Sequence, residues 1–289
     1  MPMPAEAPSF DALIAACGLP RIDARALAAH VSGRSREWLA AHGDEAVAPA
    51  IADDFRALSR RRAAGEPLAY LIGWREFYGR RFEVSPAVLI PRPETELLVD
   101  WAIERAPNGG RVLELGTGSG AIAVTLALQR PDLQVTATDV SGEALAMAAS
   151  NRDRLMGAAA ARLRLLRGDW YRPLAVDLRV DLVLSNPPYI STDDPHLLQP
   201  DLAFEPRLAL TDGSDGLDAL RAIVAGACAV LVRDGWLACE HGWDQGPAVR
   251  GLMAAAGMSG VGTLHDDEGR ERVTFGCCRA PVPGADARP

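Results

Sequence analysis

The sequence predicts an α/β protein, a doubly wound sheet of seven strands preceded by a small all-helical domain. Three observations carry this. From Phe10 to about Ala64, apolar residues recur three and four apart, the period of amphipathic helices. From Arg111 onward, strand-like runs alternate with helical ones, as in a parallel sheet covered by helices on both faces with right-handed crossovers. Between the two, "WREFYGRRFEVSPAVLIPRP" mixes aromatic and β-branched residues with Gly and Pro, the texture of a hairpin-like connector. The expected domains are therefore 1–65 (helical), 66–92 (connector) and 93–278 (α/β), followed by a mobile tail, 279–289, whose "APVPGADARP" has no apolar period.

The elements follow in order. "FDALIAACG" and "ARALAAHVSG" each close at a Gly able to cap a helix. The sheet strands are "RVLEL", "LQVTATD", "RLRLLRGD", "VDLVL", "GWLACEH", "SGVGTLHD" and "RVTFGCC". Helices lie at "AIAVTLALQR", "GEALAMAASNRD", "LDALRAIVAGACAVLV" and "GPAVRGLMAAAG". The last two strands, joined by the turn-rich "DDEGRE", are expected to be antiparallel. There is no internal repeat.

Composition narrows the function. The chain has 289 residues, 48% of them hydrophobic, and a net charge of -8. That balance argues against a protein built to grip a phosphate backbone. All 30 basic residues are Arg, a compositional habit more than a binding device. The Arg56, Arg60, Arg61 and Arg62 cluster in "RALSRRRAAG" reads first as a solvated helix face. Cys17, Cys228, Cys239, Cys277 and Cys278 show no C-x-x-C spacing and no pairing with His, so no metal site is expected and a reducing compartment fits. The N-terminus lacks a signal peptide's basic and apolar regions, and the longest apolar run, "IVAGACAVLV", is about half of a membrane span. A soluble, cytoplasmic monomer is expected, with no membrane and no stable nucleic-acid partner.

"VLELGTGSGAIAV" sets a strand, a glycine loop and a helix in immediate succession. Gly116, Gly118 and Gly120 let backbone approach a ligand closely, with Thr117 and Ser119 between them, and the next helix offers free N–H groups. The spacing also satisfies G-x-G-x-x-A through Ala121, so the loop alone fits a nicotinamide dinucleotide as well as S-adenosylmethionine. Asp139 ends the second strand and is placed to accept from ribose hydroxyls, or else to cap the helix opening at Ser141. Asp169 and Trp170 end the third strand, suited to an adenine amino group and its ring; Trp170 is equally a core aromatic. Together they favour an adenosine. No second phosphate cradle or nicotinamide site accompanies them.

The fourth strand runs into "SNPPYIS", beside the cofactor strand where ligands dock in open α/β sheets. The chemistry this suits is methyl transfer to a planar nitrogen, whose delocalised lone pair must be turned toward the methyl. The Asn186 side-chain oxygen and the Pro187 carbonyl each accept one N–H. Proline fixes φ and brings no competing donor, and Tyr189 is suited to stacking on the flat group.

Residues 66 to 278 resemble the protein-(glutamine-N5) methyltransferases, the PrmC/HemK family that modifies peptide chain release factors. The resemblance rests on "LIPRPETE", "ELGTGSGAI", "GDW", "SNPPYI", "FEPRLALTDGSDGL" and "CEHGWDQG" in that order after a helical domain. It implies a Rossmann-like, class I methyltransferase sheet, with S-adenosylmethionine as cofactor and S-adenosylhomocysteine as product. Carried over, Gly116, Thr117, Gly118, Ser119, Gly120, Asp139, Asp169, Trp170 and Asn186 line the cofactor. Asn186, Pro187, Pro188 and Tyr189 hold the glutamine of a Gly-Gly-Gln motif, with Asn186, Pro187 and Tyr189 catalytic. Glu114 is expected to organise the glycine loop or meet the methionine ammonium, and Arg92, Glu94 and Glu96 to close over the site. The helical domain is expected to recognise the protein substrate. The alternatives are a glutamine of a ribosomal protein, or an exocyclic amine of a nucleic-acid base, which would call for a basic cleft or a recognition domain.

Overall fold

The computed structural model describes residues 7–279; of the expected tail only Arg279 falls among them. The chain divides into two compact units. One runs up to Trp74 and includes Leu198–Phe204; the other comprises Arg75–Leu197 and the chain from Glu205 onward.

The first unit is helical, with α1 (Phe10–Ala16), α2 (Arg21–Ser32), α3 (Arg36–Ala41), α4 (Pro49–Ala63) and α5 (Leu68–Ile72). The Ser9 hydroxyl accepts from the Ala12 N–H at the start of α1, and Gly33 ends α2 in left-handed backbone. Both are ordinary helix-end chemistry. Phe10, Leu27, Leu39 and Phe55 form its buried centre. The arginine cluster is largely neutralised inside this unit. Arg56 pairs with Asp53, Arg61 with Glu66 and Arg62 with Asp23, at 2.9, 2.6 and 2.8 Å.

After the helices, β1 (Trp74–Phe77), which starts on the last residue of the first unit, and β2 (Arg80–Glu83) pair as a hairpin. Tyr78 and Gly79 between them both have positive φ, as a two-residue hairpin turn matched to strand twist requires. Then come α6 (Glu96–Arg105), β3 (Arg111–Leu115), α7 (Ala121–Gln129), β4 (Gln134–Asp139), α8 (Gly142–Met156), β5 (Leu163–Arg167) and β6 (Val180–Ser185). The chain continues through α9 (Arg207–Leu210), α10 (Asp218–Val230), β7 (Leu231–Glu240), α11 (Gly246–Ala255), β8 (Ser259–His265) and β9 (Glu271–Cys278).

The strands form one sheet in the order β5-β4-β3-β6-β7-β9-β8. β5 through β7 are parallel, and β9 runs antiparallel to both β7 and β8. The expected doubly wound sheet with an antiparallel closing pair is thus present. β3 and β6 are central and buried on both faces, with Leu113, Leu115, Leu182 and Leu184 inaccessible. Such strands read as continuous apolar runs because helices cover both faces. The helix α7 is apolar all round and buried from Ala121 to Ala127.

Two features depart from the sequence expectation. β7 starts at Leu231, directly after α10, where "LV" looked helical; a short apolar run has no period to separate buried strand from buried helix. Its register on β6 shifts between Val180 and Leu182, and Asp234 has φ 61°. A reducing compartment would leave all five cysteines as thiols; Cys17, Cys239 and Cys277 are free, whereas Cys228 and Cys278 are disulfide-bonded across 50 residues of sequence. That pair exists only because α10 and β9 end near each other, which spacing does not reveal. Among the described residues, no helix is long and apolar enough to cross a membrane.

Gly120 opens α7 at φ 81°, and a Cβ there would lie 3.2 Å from the Ala148 Cβ of α8. Gly120→Ala combines a strained backbone with a tight helix contact. It should lower unfolding free energy by about 1–3 kcal/mol in urea titration; unchanged stability would show that the two helices part freely.

Candidate active site

The parallel register sets Leu115 of β3 opposite Ser185 of β6, and the Ser185 hydroxyl donates to the Leu115 carbonyl at 2.7 Å. The two strands therefore end level, and the segments leaving them face one cavity of about 530 Å³, within the range of small-molecule sites. Gly116, Thr117, Gly118 and Ser119 line it, as do Asp139, Asp169, Trp170, Asn186 and Pro188. Gly120 itself is not on the wall; its role is the close approach to α8. Pro187 is buried, and neither it nor Tyr189 lines this cavity.

The glycine loop is held from below. Thr117 Oγ1 donates to Glu114 Oε2 at 2.7 Å, and the Ala123 N–H donates to the same oxygen at 3.1 Å. Glu114 Oε1 is buried without a partner among the described residues, although Glu114 lines the cavity. An unsatisfied buried carboxyl oxygen beside a cavity suits a cationic ligand group. Burial pushes its pKa up to about 8, against the two donors that lower it. Both expected roles of Glu114, loop organiser and cation acceptor, are open to one side chain. On the loop's other side, buried Asn151 donates to the Ser119 carbonyl at 2.9 Å.

Asp139 does more than one thing. Its Oδ2 accepts from the Gly118 N–H and its Oδ1 from the Ser141 N–H, each at 2.9 Å. The cap of α8 is Ser141 itself, whose hydroxyl accepts from the Ala144 N–H, so Asp139 braces the cap residue instead of capping the helix. Each oxygen retains acceptor capacity toward the cavity. Desolvation raises its pKa, and the backbone donors oppose that. Trp170 has φ 46°, rare for a bulky residue. In that pose its ring passes Gly116, where a Cβ would sit 3.5 Å from Cζ3. Strain of this kind persists where surrounding structure enforces it; here it lays an indole along the cavity wall. Asp169 beside it is half exposed and pairs with Arg172 at 3.4 Å.

Several residues of the site carry no motif signature of their own. Thr95, 4% exposed at the start of α6, accepts from Asn186 Nδ2 at 3.1 Å. Glu240 closes β7, one residue beyond Cys239, which pairs with Ser185. It is 1% exposed, and the Tyr189 hydroxyl donates to its Oε1 at 3.3 Å. Burial raises the Glu240 pKa to about 7; burial and this carboxyl push the Tyr189 phenol well above its usual value. Arg92 lines the cavity and pairs with buried Glu205 at 2.5 Å, while Glu205 also accepts from the Ile90 N–H. This joins "PRPETE" to "FEPR". Glu96 accepts from the Tyr78 N–H at 2.7 Å and so braces the hairpin. Gln245 donates to the Tyr189 carbonyl at 2.9 Å, and a Cβ on Gly216 would come within 2.3 Å of that oxygen. Only glycine allows this approach.

Comparison with known proteins agrees with both units. Residues 10–73 match the family model of the PrmC N-terminal domain, and residues 93–199 match that of the methyltransferase small domain. A release factor glutamine methyltransferase of Bordetella pertussis is 53% identical over 91% of this chain and 97% of its own length. One from Neisseria gonorrhoeae is 48% identical over 93% and 97%. Among solved structures, a methyltransferase from Pyrococcus furiosus aligns with a TM-score of 0.55 at 19% identity, over 77% of this chain and 100% of that one, a likeness of fold.

Glu114 and Glu240 hold protons more tightly folded than unfolded. Their stabilising contribution is complete below the ordinary carboxylate value of 4.5 and is lost as pH rises through about 7 for Glu240 and about 8 for Glu114. Urea unfolding from about pH 5 to about pH 9 should show falling stability. Glu240→Gln should remove a part of that slope on the order of 3 kcal/mol. An unchanged pH dependence in the variant would contradict this assignment.

Proposed function

The chain belongs to the release factor glutamine methyltransferase family, and from that premise we propose that it transfers the methyl group of S-adenosylmethionine to the side-chain amide nitrogen, N5, of the glutamine in the Gly-Gly-Gln motif of release factors. The observation that carries the chemistry is the placement of Asn186. It lines the same cavity as the glycine loop while its amide nitrogen is committed to Thr95, which leaves Oδ1 as the end available to a substrate N–H.

The cavity suits the cofactor in kind. The loop Gly116–Ser119 offers backbone, Asp139 and Asp169 offer acceptors, Trp170 offers a flat face and Glu114 Oε1 is an unpartnered carboxyl oxygen. When bound, S-adenosylmethionine supplies an electrophilic methyl group on a positively charged sulfur. The protein's part is orientation. Asn186 Oδ1 accepts one amide N–H and the Pro187 carbonyl, although that residue is off the cavity wall, is assigned the other, so the nitrogen lone pair is turned toward the methyl group. As the N–C bond formed and the S–C bond broke, S-adenosylhomocysteine would leave and one of the two N–H protons would pass to water. The two prolines make this acceptor pair stiff. Tyr189, with its hydroxyl on Glu240 and its carbonyl on Gln245, anchors the far end of the motif. The helical unit contributes none of the residues that line the cavity and is assigned to recognition of the intact factor.

Incubation with methyl-labelled S-adenosylmethionine should place label in the Gly-Gly-Gln glutamine of an intact release factor, more slowly in a peptide of that motif, and not in ribosomal protein or nucleic acid. Asn186→Ala, shown folded by a thermal melt, should lower kcat by roughly 10²-fold, the scale for losing a preorganised polar contact in a closed site. Cofactor affinity should change far less. Label in nucleic acid alone, or wild-type turnover in the variant, would overturn the reading.

A further inference from the structure

An asparagine amide that must present oxygen to its substrate faces a problem of symmetry. Rotated by half a turn about its last bond, it keeps its shape and presents N–H₂ instead. Two donors on the substrate amide would then meet a donor. Something beneath Asn186 has to distinguish the two poses, and the backbone does not reach it. Asn186 Nδ2 donates to Thr95 Oγ1 at 3.1 Å. A hydroxyl is ambivalent, however: with its hydrogen free, it would donate to Oδ1 of the flipped amide equally well.

The hydrogen of Thr95 has another claimant. The Thr95 hydroxyl lies near the Glu240 carboxyl and opposes the rise of that group's pKa, but no aligned hydrogen bond joins the two, and burial leaves the carboxyl poor in partners. Tyr189 supplies one bond to Oε1, and Oε2 has no aligned partner among the described residues. Both Thr95 and Glu240 are nearly inaccessible, at 4% and 1% exposure, so water does not substitute for either. A Thr95 hydrogen turned toward that carboxyl leaves lone pairs facing Asn186, which matches the observed donation from Nδ2.

We propose that Thr95 is a positioning residue that sets the amide orientation of Asn186 and so keeps its oxygen toward the substrate. This rests on the reading above, in which Asn186 Oδ1 accepts from the glutamine amide. Thr95 acts through Asn186 and need not touch the reacting atoms. The placement follows from the fold. Ser185 is paired with Cys239, so Asn186 and Glu240 leave adjacent parallel strands side by side. The turn Pro93–Thr95 before α6 brings the hydroxyl between them.

Thr95→Val and Thr95→Ser separate this role from packing. Valine keeps the shape and removes the hydroxyl; serine keeps the hydroxyl and removes a methyl. Steady-state kinetics on an intact release factor should show kcat reduced by about 10-fold or more in Thr95→Val. KM for the factor and calorimetric affinity for S-adenosylmethionine should stay within about 3-fold. Thr95→Ser should return kcat to within about 3-fold of the parent. Thermal melts of both variants establish that each is folded. Wild-type kcat in Thr95→Val would overturn the proposal, as would equal losses in both variants, or a loss confined to KM or cofactor affinity. If Thr95→Val is silent while Asn186→Ala is crippled, the positioning role fails and the acceptor role of Asn186 stands. If Asn186→Ala is itself fully active, both fall together.

Discussion

The parallel pairing of β3 with β6 places Leu115 level with Ser185, and a buried hydroxyl-to-carbonyl bond holds that register. From it the rest of the site follows. The glycine loop leaves one strand and "NPPY" leaves the next at the same depth, so a cofactor lying against the first, as proposed, would have its reactive end near the second. A slip of one residue would carry every side chain of β6 to the opposite face, and the close packing around Leu182, Val183 and Leu184, buried on both sides, leaves no room for the exchange. The site is thus positioned by hydrophobic burial, although its chemistry is polar.

Beneath that arrangement lies a set of buried polar groups with few partners to spare. Glu114 under the glycine loop and Glu240 under the acceptor motif each have one oxygen bonded and one without an aligned partner. Leaving polar atoms in this state costs stability. At the first site the open oxygen faces a cavity suited to a cation. At the second, the donor is Tyr189, the last residue of the motif itself. The same shortage that raises the pKa of each carboxyl therefore orders the groups around it. Arg92 and Glu205 show the complementary solution, a buried carboxylate fully engaged by a guanidinium and a backbone N–H.

Contiguous motifs were the legible part. The alternation after Arg111, the glycine loop, Asp139, Trp170 and Asn186 can all be marked from sequence because each sits at or next to a strand end, and strand ends are written in local pattern. Thr95, Glu240, Glu205 and Gln245 were inside quoted motifs, but nothing local says that Thr95 meets a residue 91 positions away or that Glu240 lies beside it. Those contacts are created by strand order. Of the two meanings held open for Asp139, helix capping falls to Ser141, while the Asp139 oxygens hold the Gly118 and Ser141 N–H groups and the residue lines the cavity. The Cys228–Cys278 bond and the early start of β7 were hidden for the same reason, tertiary proximity in one case and an apolar run without period in the other.

The central claim is that buried groups orient Asn186 and that Asn186 orients the substrate amide, in series. A double-mutant cycle on kcat with Asn186→Ala and Thr95→Val measures that connection directly. If Thr95 acts only through Asn186, removing it from the Asn186→Ala enzyme should cost almost nothing further, so the double variant should match Asn186→Ala within about 2-fold. Losses that multiply, each substitution costing as much in the presence of the other as alone, would contradict the account.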